Sequence, residues 1–556
     1  MQKLKGFVSL VLIAISIFIG LLYWFNQQQH LDSFAKQIES IKVNPSISLD
    51  PKDYITIKNN LIALQNTLNT STFQFVSSLL FFVTAYTAWL NLVSSERKQI
   101  AERLAKAVDQ LGNNELSVRV GGIFLLEQIA QNSPEDHWIV MEILTFYIRD
   151  QSLKGKSVFK PKIEDTEEDQ TDKYSIEAVL KKIRAELAIS VTTDIQAALT
   201  VICRRKSNQD TRSRVIDLSF CDIRGSDLKN AKLNSADLRG ANLSGANLQN
   251  ADLSCANLEG VNLTLAVINN ANLEKTKLNN ALLNSAYLNN AKLQYTDLTN
   301  AQFKSANLQG AKLNHSTLYF ACLVNAKLQG ADLSQANFNL TDMKGSIIDS
   351  KTKIDRKWKL VHDINTKVAK DKQLDGMDFS GAVLTFANFE GASLKNAIFN
   401  GADLSGANFK NACLEGASFL KTNIRTKLDG AYFGGANLNG AIFKEVSLRC
   451  TNFTGVSQIT NLIEITFEEV YFADTEFQNV LLKKAKFIRA IFQGVNFHLA
   501  DLSEAEFDNC SYERVEFEQA NLDKTMFTGS LNGADFRNSN FQKANFKNAD
   551  TTSAQF

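Results

Sequence analysis

The sequence predicts a long solenoid of short repeats, preceded by two membrane-spanning helices and a small α-helical region. Three observations carry this prediction. From Ile216 to Phe556 a small residue, then Asp or Asn, then Leu or Phe recur every five residues, most clearly over 236–258. Two uncharged stretches of about twenty residues lie near the N-terminus. Between them and the repeat, apolar residues follow a helical period.

The membrane anchor is predicted over residues 1–93, with spans at 7–25 and 73–93. Each stretch lacks charge and is long enough to cross a bilayer core as a helix. Tyr23 and Trp24 stand where aromatic rings favour the membrane interface. A cleaved signal peptide is the alternative for the first span, although no small-residue cleavage site follows it. A buried core helix is the alternative for the second span.

The charges that flank the spans predict their orientation. Lys3 and Lys5 precede the first span, and Arg97 and Lys98 follow the second. The positive-inside rule therefore places both termini and the repeat in the cytoplasm, with residues 26–72 as an external loop.

Cysteine usage agrees with a reducing compartment. No pair of cysteines has a spacing suited to zinc or to a thioredoxin-like site, so free, mostly structural thiols are expected. Cys221 and Cys510 fall where the repeat needs a small inward residue. The seven cysteines are Cys203, Cys221, Cys255, Cys322, Cys413, Cys450 and Cys510.

Residues 94–206 are predicted to form an α-helical region, because their apolar residues recur with a helical period. Gly112 is a typical stop signal, and Pro134 suits a first helical turn. The predicted elements are a helix ending near Gly112, helices starting at Leu116 and at Ser133, a polar linker near 154–173, and helices near 175–190 and 193–205.

The repeat has a simple physical reading. The Leu or Phe of each unit, here called the centre, and the small residue two positions before it are apolar, whereas the other positions are polar. Neither helix nor strand has a period of five, so the chain must turn a corner once per unit. One buried Leu contributes about 2 kcal/mol, which a unit retains only with neighbours above and below it. The first block of units spans 214–350.

This AxLxx pattern resembles the pentapeptide-repeat family. The resemblance implies a right-handed quadrilateral β-helix with four units per coil, so that residues twenty apart share a column. Asn242 should then stack on Asn262 as a side-chain amide ladder, and Lys277 on Asp297 as an opposite-charge pair.

The order of segments over residues 73–556 resembles a membrane-attached, cyanobacterial-like form of bacterial pentapeptide-repeat protein. The resemblance rests on VRVGGI and SPEDHW within the helical region and on DIQAALTVICRR ahead of the repeats. It implies a location at the bacterial inner membrane or the thylakoid membrane, and it implies no assigned reaction.

Residues 351–373 interrupt the five-residue register and carry eight Lys or Arg against three Asp. We expect a short helix over the rod, with Trp358 and Leu360 packed against it. A patch for nucleic acid or anionic lipid is the alternative. The second block, 374–556, resumes the repeat with Phe common at the centre.

The register of the second block slips near Ile424, Phe453 and Phe527. Leu428 follows Ile424 after four residues instead of five, so a missing residue and a bulge, loop or kink are expected there. The last coil has no visible cap, and a second copy of the chain could cover its edge in a homo-oligomer.

No catalytic, cofactor-binding or metal-binding residue is predicted, and the chain is not expected to be an enzyme. The sequence contains no GxxxxGK, HExxH, CxxC or GxSxG motif. His137 beside Trp138 is attributed to packing or capping. The five histidines are scattered: His30, His137, His315, His362 and His498.

Charge favours protein partners over nucleic acid. Lys and Arg (60) balance Asp and Glu (59), so any charged partner must be met by a local patch. Residues 501–523 form an acidic run opposed only by Arg514: Asp501, Glu504, Glu506, Asp508, Glu513, Glu516, Glu518 and Asp523.

Three functions follow from these observations. The sequence favours a membrane-tethered, non-catalytic scaffold or protein-docking rod with an unknown protein partner. Because some pentapeptide-repeat proteins mimic DNA and bind topoisomerase, a DNA-mimic modulator is the alternative suggested by the acidic run. An enzyme with an unrecognised site is the least favoured.

Overall fold

The computed structural model describes residues 2–43, 50–154, 191–207, 210, 214–367 and 369–556. The chain forms two compact units, Met1–Lys106 and Ala107–Phe556, which are described separately. Apart from Lys154, the predicted linker near 154–173 and the predicted helix near 175–190 lie outside the described residues.

The first unit consists of two long helices, α1 (Gln2–Val43) and most of α2 (Pro51–Leu111). Helix α2 starts after Asp50, whose carboxylate accepts a hydrogen bond from the amide of Lys52 at 2.9 Å. Asp before Pro is a strong helix start, because the carboxylate caps the first turn and Pro lacks the donor that would be unpaired there.

The predicted external loop, 26–72, is helical in its described parts rather than irregular. Residues 26–43 continue α1 and residues 51–72 form the first part of α2. Neither described part contains an internal Gly or Pro to stop a helix. The two helices contact each other, since the Nε1 of Trp24 donates to Oδ1 of Asn69 at 3.4 Å.

Within the described residues, α2 is the helix that is long and apolar enough to cross a membrane by length and composition. The uncharged stretch 73–93 lies inside it. Its large side chains are not covered by other parts of the protein: Phe81, Phe82 and Trp89 are 69, 70 and 57% exposed.

The second unit begins with three packed helices, α3 (Leu116–Asn132), α4 (His137–Lys154) and α5 (Thr193–Arg204). Their core includes Ile123, Leu126, Leu144 and Leu199, all fully buried. The end of α2 at Leu111, just before Gly112, and the start of α3 at Leu116 confirm the predicted boundaries.

The predicted cap of the third helix at Ser133 is wrong. Residues 134–136 form a turn, closed by a hydrogen bond from the amide of Asp136 to the carbonyl of Ser133, and α4 starts at His137. Pro134 therefore belongs to the turn. Within α4, Val140 and Leu144 are buried, whereas Phe146 is exposed.

From Ile216 the chain forms a parallel β-solenoid in which residues twenty apart pair. Asp237 pairs with Asn257, the amide of Leu238 donates to the carbonyl of Asn257 at 2.7 Å, and the amide of Asn257 donates to Ala236 at 2.9 Å. Twenty residues make four five-residue units, which confirms the predicted four-unit coil.

The local sequence explains each corner. The side chain of Asp237 accepts the amide of Arg239 at 3.1 Å, and the amide of Ala241 donates to the carbonyl of Leu238 at 3.1 Å. Gly240 between them has a φ of +60°, as the third residue of a type II turn requires. Asp and Asn recur before the centre because they hold this turn, while Leu238 and Ala241 are fully buried.

Both predicted columns exist, but without the expected side-chain contacts. Asn242 pairs with Asn262, and Lys277 with Asp297. Their oxygens instead accept from their own coil: Asn262 from the amide of Thr264, and Asp297 from Thr299.

The predicted insert contains α6 (Arg356–Thr366), and the first block extends slightly beyond its predicted end, since Lys353 pairs with Asp332. Trp358 is buried against Phe338, with ring centroids 5.8 Å apart. Leu360 is only partly buried, so its predicted role is filled by the next residue, Val361.

The second block resumes at Gln373 and contains short parallel strands in a seven-stranded, a four-stranded and a two-stranded sheet. Aromatic centres stack through the coils, for example Phe419 on Phe443 at 4.4 Å. The strands are β1 Ser418–Leu420, β2 Ile442–Lys444, β3 Ser447–Arg449, β4 Thr466–Glu468, β5 Tyr471–Ala473, β6 Lys486–Ile488, β7 Ile491–Gln493, β8 Glu506–Asp508, β9 Ser511–Glu513, β10 Val515–Glu516, β11 Met526–Ser530, β12 Ala534–Asp535 and β13 Asn545–Asp550.

The first two register slips are insertions, not the predicted loss of a residue. Asp403 pairs with Lys427 and Asn437 with Asn461, so each of these coils has 24 residues. Ile424 is therefore part of a loop and not a centre. Near Phe527 one residue is missing, as predicted, because Asn521 pairs with Asn540.

We expect deletion of residues 422–425 to be tolerated. The deletion restores about twenty residues between the paired Asp403 and Lys427, so the columns on both sides stay in register. Thermal unfolding followed by circular dichroism should give a midpoint close to that of the intact protein. As the control, deletion of 407–410 removes the buried Ala407 and Phe409 and should unfold the second block. Equal losses in the two variants would contradict this expectation.

Candidate functional site

A buried carboxylate joins the three helices of the second unit. Asp194 in α5 accepts hydrogen bonds from Nε of Arg119 at 2.7 Å and from the hydroxyl of Tyr147 at 2.6 Å. Burial disfavours its charged form, but hydrogen bonds from Thr192, Tyr147 and Arg119 outweigh burial and lower the pKa of Asp194 to about 2. Because all partners are donors that hold the charge in place, this cluster is a structural clamp.

The structure places His137 where the chain passes from the helices to the rod. Its Nε2 lies 3.2 Å from Oδ1 of Asp210, and Asp210 also accepts from Nε of Arg205 at 2.9 Å. Arg205 in turn donates to the carbonyls of Ile202 and Lys232. His137 is buried, and its Nδ1 has no hydrogen-bond partner. The assignment of His137 to packing stays a prediction.

Trp138, the neighbour of His137, is held within the same region. Its Nε1 donates to Oε1 of Glu142 at 2.7 Å, and the guanidinium of Arg214 lies 6.0 Å from the ring centre. Trp138 thus links one turn of α4 to the start of the rod.

All seven cysteines are free. Burial raises the pKa values of Cys203, Cys221 and Cys510 to about 12, so these thiols are poor nucleophiles. Cys221 and Cys510 are buried, as predicted, whereas Cys255 and Cys450 are exposed at corners of the rod.

The residues with metal-binding side chains do not converge. In the described part of the chain, no group of three or more His, Cys, Asp or Glu side chains is arranged to hold a metal ion. The prediction of no catalytic, cofactor-binding or metal-binding residue stays a prediction.

Bases from a neighbouring coil lie beside the acidic run. Glu504 pairs with Lys483 at 3.4 Å. Glu506 lies between Lys486 and Met526 in the columns of its sheet. The run is therefore acidic along the chain but interleaved with basic and apolar side chains in space.

The basic insert is also partly neutralised. Half of its eight Lys and Arg residues form ion pairs, which weakens any field directed at a polyanion. The pairs are Lys353 with Asp332 at 3.2 Å, Lys357 with Asp378 at 2.9 Å, Lys367 with Asp363 at 3.7 Å and Lys370 with Glu390 at 3.4 Å.

Sequence reasoning missed a set of large exposed side chains at the corners of the rod. Phe220, Tyr295, Phe320 and Phe386 are exposed and have φ values of +58 to +59°. A bulky residue rarely adopts this conformation. The signal was available, because each stands two positions after a centre, where this chain mostly has Asn, Gly or Ser.

The pentapeptide repeats profile matches more than half of the chain. The matched segments are 216–250, 241–280, 281–318, 321–349, 373–401, 382–419, 424–457, 460–498, 500–530 and 529–550.

Solved structures similar to the chain are themselves pentapeptide repeat proteins or resistance proteins. Rfr23 from the cyanobacterium Cyanothece 51142 is 42% identical over 17% of this chain and 64% of Rfr23, with a TM-score of 0.17. HetL from Nostoc sp. strain PCC 7120, involved in heterocyst differentiation regulation, is 21% identical over 54% of this chain and 88% of HetL, with a TM-score of 0.13.

QnrB1, a plasmid-mediated fluoroquinolone resistance protein, is 13% identical over 39% of this chain and 89% of QnrB1, with a TM-score of 0.17. No curated protein matched the chain.

The family assignment rests on sequence and geometry together. The repeats match the family profile over most of the rod, and the coils pair every twenty residues with buried centres. The chain belongs to the pentapeptide repeat family.

Proposed function

We propose that the chain is a membrane-tethered, non-catalytic scaffold whose rigid rod docks proteins in the cytoplasm. The observation that carries the tether is the uncharged stretch 73–93 of α2, whose large apolar side chains are left uncovered. Uncovered apolar surface of this length is stable in a bilayer and costly in water. The orientation with both termini and the rod inside follows from the flanking basic residues.

The docking role is supported by the fixed positions of many outward side chains on the rod. Many outward side chains are already held by the next coil: the amide nitrogen of Asn247 donates to Asp227 at 3.1 Å, and that of Asn272 to Asp252 at 3.0 Å. A partner that binds such a surface loses less side-chain entropy on association. Val456, 92% exposed in the loop of the second insertion, offers an apolar anchor on this polar surface.

A homo-oligomer through the C-terminal coil is part of the same proposal. Strand β13 is the edge of the seven-stranded sheet, and Phe556 is 48% exposed. A second copy that stacked there would pair this edge and cover the ring.

The DNA-mimic role is the alternative, and the acidic run over 501–523 is the observation in its favour. The full-length chain in detergent would then inhibit DNA gyrase supercoiling at micromolar concentration. Absence of inhibition would remove this alternative, which the interleaved bases already weaken.

We expect membrane-impermeant maleimide to label Cys255 and Cys450 in spheroplasts only after permeabilisation. Both thiols are exposed on the rod, which the proposal places on the cytoplasmic side of the membrane. Mass spectrometry would locate the labels. The C255S/C450S variant is the control for signal from other thiols, and labelling before permeabilisation would overturn the orientation.

Photo-crosslinking from native membranes tests docking. A crosslinker at Val456 should capture the same protein in repeated preparations, whereas one at the buried Phe443 should capture none. If Val456 yields no partner above the level of Phe443, and positions along 501–523 also yield none, the docking role is wrong.

A further inference from the structure

The middle of the first block carries an excess of basic charge that the whole-chain balance hides. Residues 271–334, here called the basic-aromatic band, contain twice as many basic residues as acidic residues. The acids are Glu274, Asp297 and Asp332, and the bases are Lys275, Lys277, Lys292, Lys304, Lys312 and Lys327.

These lysines are exposed and outside any ion pair, although Lys277 stands beside Asp297 in its column and Lys312 beside Asp332. All six side chains are exposed to solvent. Among the described residues, none of the six forms an ion pair, because the pairs of the first block engage other bases: Arg149 with Asp217, Arg224 with Asp222, Arg239 with Asp237 and Lys353 with Asp332.

Two of the lysines are stacked on each other. Lys292 pairs with Lys312 in adjacent coils, so their side chains leave the same face of the rod about 5 Å apart at Cβ. Like charges directly opposite each other in a sheet are destabilising. An anion bound between the two ammonium groups would convert this repulsion into attraction.

Aromatic rings stand at the corner next to these lysines. Tyr295 and His315 follow Lys292 and Lys312 by three residues each, and their rings stack at 4.9 Å with planes 4° apart. At the next corner, Tyr319 and Phe320 are in edge contact at 4.4 Å.

These rings occupy an unfavourable backbone conformation without being buried. Tyr295, His315 and Phe320 have φ values of +58 to +61°, and all three are exposed. Burial does not offset the strain, and Asn or Gly fits most other corners. Strained backbone positions cluster at binding sites, which favours a role of these exposed rings in binding.

We propose that the basic-aromatic band binds single-stranded nucleic acid. Phosphates contact the Lys292–Lys312 pair, and bases stack on the rings of Tyr295, His315, Tyr319 and Phe320. Lysines beside aromatic stacking platforms are the combination with which proteins bind single strands independently of sequence. An acidic peptide or an anionic lipid headgroup would satisfy the lysines but supplies no planar ring at each step.

This binding is separate from the docking role and revises the expectation that charge balance disfavours nucleic acid. The local patch that such a partner requires is present, although the chain as a whole is nearly neutral.

Fluorescence anisotropy of full-length protein in zwitterionic nanodiscs with labelled oligothymidylate of about twenty nucleotides tests the proposal. Binding should weaken steeply with salt, with a slope of about −0.7 per phosphate contacted. The K292Q/K312Q variant should lower the magnitude of that slope. K395Q is the matched control, because Lys395 is exposed and already paired with Glu415 at 3.0 Å.

The aromatic contribution is tested by Y295N/H315N. Asn occupies the equivalent corners at Asn230, Asn250 and Asn270 with φ values of 57 to 58°, so the fold is retained and the thermal midpoint should not fall. Affinity for the oligonucleotide should drop at least about fivefold, as expected for the loss of one stacked base.

Three results of the binding assay would overturn the proposal. They are absence of binding at low salt, unchanged affinity in both double variants, and competition by polyglutamate or phosphatidylserine vesicles as strong as by unlabelled oligonucleotide. Ultraviolet crosslinking with 5-iodouracil-containing strands should modify the 291–320 segment, and a crosslink confined to other regions would also refute it.

Discussion

Replacing Phe443 with alanine is expected to lower the free energy of unfolding of the second block by about 3–5 kcal/mol. Phe443 is fully buried, and its ring stacks on Phe419 at 4.4 Å and lies 5.1 Å from Phe467. The coils above and below are held at strand spacing by backbone hydrogen bonds, so the walls of the cavity cannot close over the missing ring.

Native-state hydrogen exchange suits this measurement, since repeat arrays often do not unfold as one unit. Amides of β2 and β4 should lose protection first in F443A. The matched control is F556A at the end of the same type of ring stack, where Phe556 is 48% exposed and should cost far less. Equal effects of the two variants would show that the central stack is not the source of stability.

Replacing Asp194 with alanine is expected to destabilise the helical region by about 3–5 kcal/mol, because Arg119 and Tyr147 would then be left without their buried acceptor. Protection of amides in α3, α4 and α5 against hydrogen exchange reports the loss. D237N is the control: its ion pair with Arg239 is at the surface, so its loss should cost far less. A loss no larger than in D237N would contradict the clamp.

The same carboxylate predicts a pH dependence. The folded-state pKa of Asp194 lies at about 2, below the ordinary value of 3.8. Its contribution is therefore fully present above pH 3.8 and is lost as the pH falls towards 2. Acid unfolding of the helical region should be less steep in D194A over this window, and identical slopes in the two proteins would argue against the assignment.

The coil was predictable because its signal is local. The five-residue period places every centre inside, and a twenty-residue column follows from four corners, so pairs such as Asn242 with Asn262 could be named in advance. The side-chain contacts of these two named pairs could not, because Asn262 and Asp297 accept a nearer amide in their own turn.

Other features depend on packing that the sequence does not encode locally. Ile424 is an apolar residue of the kind that occupies a centre. Only the pairing of Asp403 with Lys427 shows that it belongs to an insertion. In α6 the buried face includes Val361 and not Leu360, because the rotation of a short helix is set by the surface beneath it. The basic-aromatic band was missed because the net charge of the whole chain hides a local excess of lysine confined to three coils.

The two insertions show how this rod tolerates a change in length. Each extra loop leaves the stack at a corner, and the column resumes with the next residue that can pair, as Lys427 does above Asp403. The extra residues are thus accommodated within one coil, and the next coil pairs in the normal register. A loop can therefore be inserted at a corner of the rod while the other surface residues keep their positions in the columns.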